Sequence, residues 1–123
     1  MRFLDSNVLA YAFYDNKFSE SCQRAIEEGG MTDALSLVEA FYVLEDQTTR
    51  EEAQRCIKGL FKSNITIVDL DLNLLFEAVK NMHRHALNIF DSVHYTCALL
   101  NDCDSIVTMD RDFDGLQLAR EEP

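Results

Sequence analysis

The sequence is short of basic residues: 11 Lys and Arg stand against 22 Asp and Glu, a formal net charge of −11. A protein that binds nucleic acid through a broad basic surface should not have this balance. The excess acid has two explanations, general solubility or carboxylates gathered at a cation site. Composition alone leaves both open.

Other features are missing as well. No apolar run reaches the roughly 18 residues needed to cross a bilayer. The start, MRFLDSNV, has no signal-peptide core, so we expect a cytoplasmic protein. The four cysteines form no CxxC pair, so the spacings of zinc sites and of thioredoxin-like proteins are absent. We expect each cysteine to be a small core residue or an incidental thiol. There is no Walker or GxGxxG glycine pattern.

What is present fits one folded domain. The chain has 123 residues, of which 47% are hydrophobic, enough for a single substantial core. We therefore expect one domain over residues 1–123. Apolar periodicity and capping residues predict strands at 2–4, 31–32, 65–70 and just before Asp110, and helices at 8–14, 20–28, 33–45, 50–62, 72–85 and from Asp91 onward. A strand that begins almost at residue one and leads into a helix indicates an α/β fold.

Asp5 directly follows the first predicted strand. Open parallel sheets bind ligands at the carboxyl ends of their strands, so this carboxylate is a candidate site residue. Ser6 and Asn7 beside it are good helix-capping types. Asp5 could also simply cap the helix that follows, and taken by itself the residue fits that role better.

Glu39 is the one charge between Ser36 and Leu44 in a strongly apolar predicted helix. A carboxylate on a mostly buried helix costs several kcal/mol unless it is paired, bound to metal or protonated. The alternative is a narrow solvated stripe shared with Ser36. Glu39 is therefore a second candidate site residue.

The three histidines are expected to have different roles. His83 and His85 lie near a helix end, where surface or capping roles are expected. His94 follows Asp91 by three residues and shares its helical face, so it could contact substrate, orient a carboxylate or simply pack. Core packing, rather than base stacking, is expected for the aromatic residues Tyr11, Phe13, Tyr42 and Phe61.

Asp91 opens a predicted helix, and Asp110 and Asp112 follow an apolar run that reads as a strand. If the strands are parallel, these acids can converge with Asp5 and Glu39 at one sheet edge. Gathered carboxylates repel one another and need a compensating positive charge. Hard oxygen ligands suit Mg²⁺ or Mn²⁺, which would activate a water and neutralise charge on a phosphoryl group. The working hypothesis is a metal-dependent hydrolase.

Four segments in order, FLDSNVLAY, LVEAFYVL, IFDSVHYTCAL and DSIVTMDRDF, resemble the PIN-domain family and, within it, the VapC-type toxins of toxin–antitoxin pairs. The resemblance implies a three-layer α/β/α sandwich with a parallel sheet of four or five strands. It also implies a Mg²⁺- or Mn²⁺-dependent endoribonuclease. By position, Asp5, Glu39 and Asp91 look like the family's first three acids. Asp110 is the expected fourth, with Asp112 as its competitor.

The same resemblance extends to supporting residues and partners. Thr108 would hydrogen-bond a carboxylate or a metal-bound water, and Ser6 resembles the small hydroxyl residue beside the first acid. The metal ligands would be Asp5, Asp91 and Asp110. RNA is the implied substrate, an antitoxin the implied protein partner and a homodimer the implied assembly.

The sequence leaves two other interpretations open. A PIN-like scaffold would bind RNA or a protein without catalysis and without metal at the acids. A phosphatase of the aspartyl-nucleophile type would need a second acid two residues after Asp5, where Asn7 stands.

Overall fold

A computed structural model describes all 123 residues. Its centre is a five-stranded sheet in which every neighbouring pair is parallel, in the order β3-β2-β1-β4-β5. The strands are β1 (Arg2–Leu4), β2 (Gly30–Asp33), β3 (Ile65–Val68), β4 (Ser105–Val107) and β5 (Ala119–Glu121). The helices are α1 (Ser6–Tyr11), α2 (Ser19–Glu28), α3 (Ala34–Gln47), α4 (Arg50–Phe61), α5 (Leu72–His85) and α6 (Ile89–Leu100). The α/β class with a parallel sheet, expected from the sequence, is confirmed.

Alternate residues of the central strands supply two separate cores. Phe3 and Ile106 pack with α5 and α6 on one face of the sheet. Leu4 and Val107 pack with α1 to α4 on the other face. All four side chains are fully buried, and each burial of this kind contributes about 1.5–3 kcal/mol. The molecule is thus a three-layer sandwich.

The strand order reverses direction at β1. From this strand the chain moves outward through β2 and β3, then crosses back to add β4 and β5 on the other side. Leu4 is paired with Val107, and the Asp5 amide donates to the Val107 carbonyl at 3.0 Å. The carboxyl ends of β1 and β4 therefore meet at a topological switch point, where α/β sheets bind ligands.

Two predicted helix boundaries are wrong for local reasons. Helix α1 ends at Tyr11 rather than at residue 14, because the Asn16 amide donates to the carbonyls of Tyr11 and Tyr14 at 2.9 and 2.7 Å and closes a turn. Helix α6 begins before Asp91, because Asn88 is its N-cap and accepts from the Asp91 amide at 2.9 Å. Asp91 thus lies inside the first turn of the helix.

Gly29 and Gly30 end α2, as the sequence predicts, and both have positive φ, 86° and 149°. At Gly30 a Cβ atom would lie 2.6 Å from the carbonyl oxygen of Arg2. Only glycine allows β2 to start this close to β1.

The expected core packing is wrong for three of the four aromatic residues, and only Tyr11 packs against the core. Tyr42 is 76% exposed, Phe61 65% and Phe13 37%. The thiols behave as expected: Cys22, Cys97 and Cys103 are buried, Cys56 is partly buried and none forms a disulfide. None of the helices has the length and apolar character that a bilayer span requires.

Candidate active site

Asp5 is 3% exposed and lies at the switch point between β1 and α1. Its Oδ1 accepts from the Ser6 amide at 2.7 Å, so it is the N-cap of α1. Its Oδ2 accepts from the Thr108 hydroxyl at 2.7 Å and from the Asn7 amide at 3.4 Å. The two sequence interpretations are therefore compatible, since one carboxylate caps the helix and lies at the ligand edge. Burial raises the pKa of Asp5, although His94 and Thr108 oppose the shift.

Thr108 joins the first acid to the last ones. Its buried hydroxyl donates to Asp5 and accepts from the backbone amide of Asp110 at 3.0 Å. Asp110 in turn caps the short 3₁₀ turn at Arg111–Phe113, with its Oδ1 accepting from the Asp112 amide at 2.9 Å. The positions of these acids are thus set by hydrogen bonds to the end of β4.

The carboxylates of Asp91, Asp110 and Asp112 form a cluster. One oxygen from each lies within 4.8 Å of the others. Asp91 comes from the first turn of α6, while the other two come from the turn after β4. The structure therefore brings together both contenders for the fourth acid. Asp5 and Glu39 are not members of this cluster and lie beside it.

The electrostatics of the cluster show a shortage of positive charge. Burial, followed by the charges of Asp5 and Asp110, raises the pKa of Asp91 to about 6 against the opposing effect of His94. Each neighbouring carboxylate makes ionisation of the next less favourable.

The donor set fits a hard divalent cation. Three carboxylates offer only oxygen ligands, as Mg²⁺ and Mn²⁺ prefer. Oxygens bound to one Mg²⁺ at about 2.1 Å are at most about 4.2 Å apart, so ligand atoms that lie within 4.8 Å of one another need only small shifts. The cluster could hold one such ion with several waters completing its shell.

Glu39 is held by His94 rather than by the cluster. Nε2 of His94 lies 2.5 Å from Oε1 of Glu39 and 3.9 Å from Oδ1 of Asp5. On the other side of the ring, Nδ1 lies 2.7 Å from Oδ2 of Asp33. Burial opposes a charge on His94, but the hydrogen bonds to Asp33 and Glu39 outweigh it and raise its pKa to about 10. Of the three roles considered for His94, orienting a carboxylate is the one its contacts match.

Two polar residues of the site were missed in the sequence. The sequence predicts Asp33 only as the first residue of a helix, yet Asp33 is fully buried at the carboxyl end of β2 and bonds to His94. Its signal was available, because it follows a strand just as Asp5 does. Asn7 donates to Thr108 at 3.1 Å. The other histidines are elsewhere: His83 is exposed, and His85 packs edge-on against Tyr95.

A cavity of about 450 Å³ opens beside Glu39. Six of its nine lining residues are hydrophobic, and Tyr42 and Phe90 are among them. Ser6 lines it as well, so the cavity begins at the acid site and continues along the apolar face of α3.

The sequence matches a family model described as the PIN domain over residues 2–117. The chain belongs to the PIN-domain family. Among curated protein sequences none matches it. The fold is similar to that of the Mycobacterium tuberculosis VapC20, a sarcin–ricin loop cleaving toxin, with a TM-score of 0.86, 14% identity and full coverage of both chains.

Two further solved structures are similar to nearly the whole chain. A toxin–antitoxin complex from Klebsiella pneumoniae gives a TM-score of 0.73 at 13% identity, covering 95% of this chain and 93% of that one. VapBC2 from Rickettsia felis, bound to a DNA fragment from its promoter, gives a TM-score of 0.71 at 20% identity, covering 98% of this chain and 97% of that one. At these identities the likeness concerns the fold.

Proposed function

We propose that this PIN-domain protein is a metal-dependent endoribonuclease and the toxin of a VapBC-type pair. The observation that carries the proposal is the approach of Asp91, Asp110 and Asp112 within 4.8 Å, beside the buried Asp5. Acids from three distant parts of the chain meet at the ligand edge of the sheet. Solubility does not require such an arrangement, since solvated charges would be spread over the surface.

In this proposal Asp91 and Asp110 are metal ligands and Asp112 completes the cluster. Asp5 is the fixed acid behind them, and its charge already acts on Asp91. Ser6 and Thr108 hold Asp5 by donating to its two oxygens. A Mg²⁺ or Mn²⁺ ion bound there would acidify water and neutralise charge on the scissile phosphate.

Glu39 is a proposed catalytic acid that, like Asp5, lies outside the metal cluster. Its Oε1 is bound by His94, whereas its Oε2 makes no hydrogen bond within the chain. The side chain is 28% exposed and lines the cavity. This free oxygen is therefore the one that can take a proton from an attacking water or hold a substrate hydroxyl. Arg111, exposed beside the cluster and in no ion pair, is suited to a neighbouring phosphate of the RNA.

An antitoxin is the proposed protein partner. The similar structures from Klebsiella pneumoniae and Rickettsia felis are described as a toxin–antitoxin complex and as VapBC2. The apolar cavity beside Glu39, with the exposed rings of Tyr42 and Phe90, offers a surface for apolar antitoxin side chains, and the acids beside it would attract a basic one. The homodimer and the cytoplasmic location stay predictions.

The test is cleavage of labelled RNA by protein first treated with a chelator. We expect no cleavage without metal, cleavage on adding Mg²⁺ or Mn²⁺, and none of a DNA strand of the same sequence. Asp5→Asn and Asp91→Asn should remove the activity. Asp102→Asn is the matched control, because Asp102 is exposed with φ 54° and asparagine tolerates that conformation.

Cleavage by folded Asp91→Asn at the wild-type rate would contradict the assigned mechanism. The non-enzymatic alternative, a PIN-like scaffold, predicts neither metal-stimulated cleavage nor metal binding at the acids.

A further inference from the structure

Asp33, His94 and Glu39 form a chain of contacts that links the carboxyl end of β2 through α6 to α3 inside the protein. Asp33 and His94 are both 0% exposed. Asp33 uses Oδ1 to cap α3, accepting from the Ser36 amide at 2.8 Å, and Oδ2 to contact Nδ1 of His94 at 2.7 Å. The carboxylate is thus held at both oxygens, and the imidazole ring is fixed by it.

The opposite ring nitrogen reaches Glu39. Nε2 of His94 is 2.5 Å from Oε1 of Glu39. Ionised carboxylates only accept hydrogen bonds, so a ring that faces Asp33 on one side and Glu39 on the other carries a proton on both nitrogens. His94 is then a buried cation, and removing it would leave the Asp33 charge without a partner, which is costly.

Without this contact Glu39 would be poorly fixed. Its side chain has three rotatable bonds, and none of its neighbours on α3 at three and four residues' distance makes a hydrogen bond to it. These neighbours are Leu35, Ser36, Tyr42 and Val43, and the Ser36 hydroxyl instead contacts Nδ1 of His94. The tether to His94 holds Oε1 at a ring nitrogen that is itself 3.9 Å from Oδ1 of Asp5. Oε2 has no hydrogen-bond partner, and the side chain lines the cavity. The orientation of the carboxylate is therefore decided by α6 and β2, not by the helix that carries it.

We propose that Asp33 and His94 are positioning residues that clamp Glu39 through Oε1, so that only Oε2 is presented to the RNA. The proposal rests on the proposed ribonuclease function for its kinetic consequences, but the clamp itself exists in the free protein. It assigns the buried Asp33 a role beyond capping α3. Neither residue touches the substrate.

The first experiment detects the hydrogen bonds of the His94 ring in the absence of RNA. In the metal-free protein, proton–nitrogen NMR of the histidine rings should show two slowly exchanging N–H protons on His94. In Glu39→Gln the Nε2 proton should shift and exchange faster while the Nδ1 proton, bonded to Asp33, stays. Absence of protected imidazole protons, or a Glu39→Gln spectrum in which both are unchanged, would overturn the proposal.

The second experiment measures kcat and KM for RNA cleavage. His94→Leu should lower kcat by about 10- to 100-fold with KM within about twofold. His94→Gln, which keeps a donor toward Glu39, should recover part of kcat. Asp33→Asn keeps the α3 cap but no longer accepts from Nδ1, so it serves as the second variant if His94→Leu does not fold.

A folded variant of either residue with wild-type kcat would overturn the clamp, as would equal losses in His94→Leu and His94→Gln. A wild type that cleaves no RNA would contradict the proposed function instead. The NMR result then decides the clamp by itself.

Discussion

The hydroxyl of Thr108 donates a 2.7 Å hydrogen bond to Oδ2 of Asp5, 103 positions earlier in the chain. The bond joins the carboxyl ends of β4 and β1 at the switch point of the sheet. Through it the first acid of the site is tied to the turn that carries Asp110 and Asp112. The geometry of the site and the stability of the fold therefore depend on the same hydroxyl.

Thr108→Val should test this dependence. The valine leaves a buried carboxylate oxygen and the Asp110 amide without their partner, so we expect a loss of about 1–3 kcal/mol in unfolding free energy together with weaker RNA cleavage. Urea unfolding and initial rates measure the two effects. Thr108→Ser keeps the hydroxyl and is the control, and equal stability of the two variants would refute the role assigned to the bond.

Asp110 and Asp112 can be separated by their dependence on metal. Asp110 is half-buried, and its backbone amide is fixed by Thr108, whereas Asp112 is exposed. Asp110→Asn should raise the Mn²⁺ concentration for half-maximal cleavage by at least about tenfold, and Asp112→Asn should raise it less. Asparagine can still cap the 3₁₀ turn at Asp110, so the fold should persist. The reverse order would make Asp112 the fourth acid.

The metal-free protein should become more stable as the solution is acidified from pH 7.5 to pH 5. The pKa of Asp91 is raised from 3.8 to about 6, first by burial and then by Asp5 and Asp110. Protonated Asp91 therefore favours the folded state. Its contribution to stability is complete below the pKa that Asp91 has in the unfolded chain, and it is lost as the pH rises through the pKa that Asp91 has in the folded protein. The Tm of Asp91→Asn should rise less than that of the wild type when the pH is lowered over this range.

Thermal unfolding in the presence of a chelator measures this effect, with Asp102→Asn as the charge-matched control. Saturating Mn²⁺ should weaken or reverse the trend, because cation and proton compete for the same carboxylate. Identical pH profiles for wild type and Asp91→Asn would show that Asp91 is not the source.

Much of this arrangement is predictable from short-range patterns. Asp5 can be identified as a candidate without coordinates because parallel sheets bind ligands at the carboxyl ends of their strands. Glu39 can be identified because an unpaired charge on a buried helix is costly. The family resemblance then orders the acids. The approach of Asp91 to the turn after β4 follows from a parallel βα unit.

What the sequence does not reveal depends on contacts between distant residues. Asp33 looks like an ordinary helix cap until the fold brings His94 to its second oxygen. The exposure of Tyr42 results from where the α3–α4 pair sits, since helical spacing alone does not say which side faces the sheet. The edge strand β5 reads as an acidic tail, and only its pairing with β4 makes it part of the sheet.

The central claim is that the acids at the switch point hold a divalent cation. Calorimetric titration of the metal-free protein with Mn²⁺ tests it most directly, using the wild type, Asp91→Asn and Asp102→Asn. We predict a saturable binding heat for the wild type and Asp102→Asn and a loss of that heat in Asp91→Asn. No heat from the wild type, or equal binding by folded Asp91→Asn, would contradict the account.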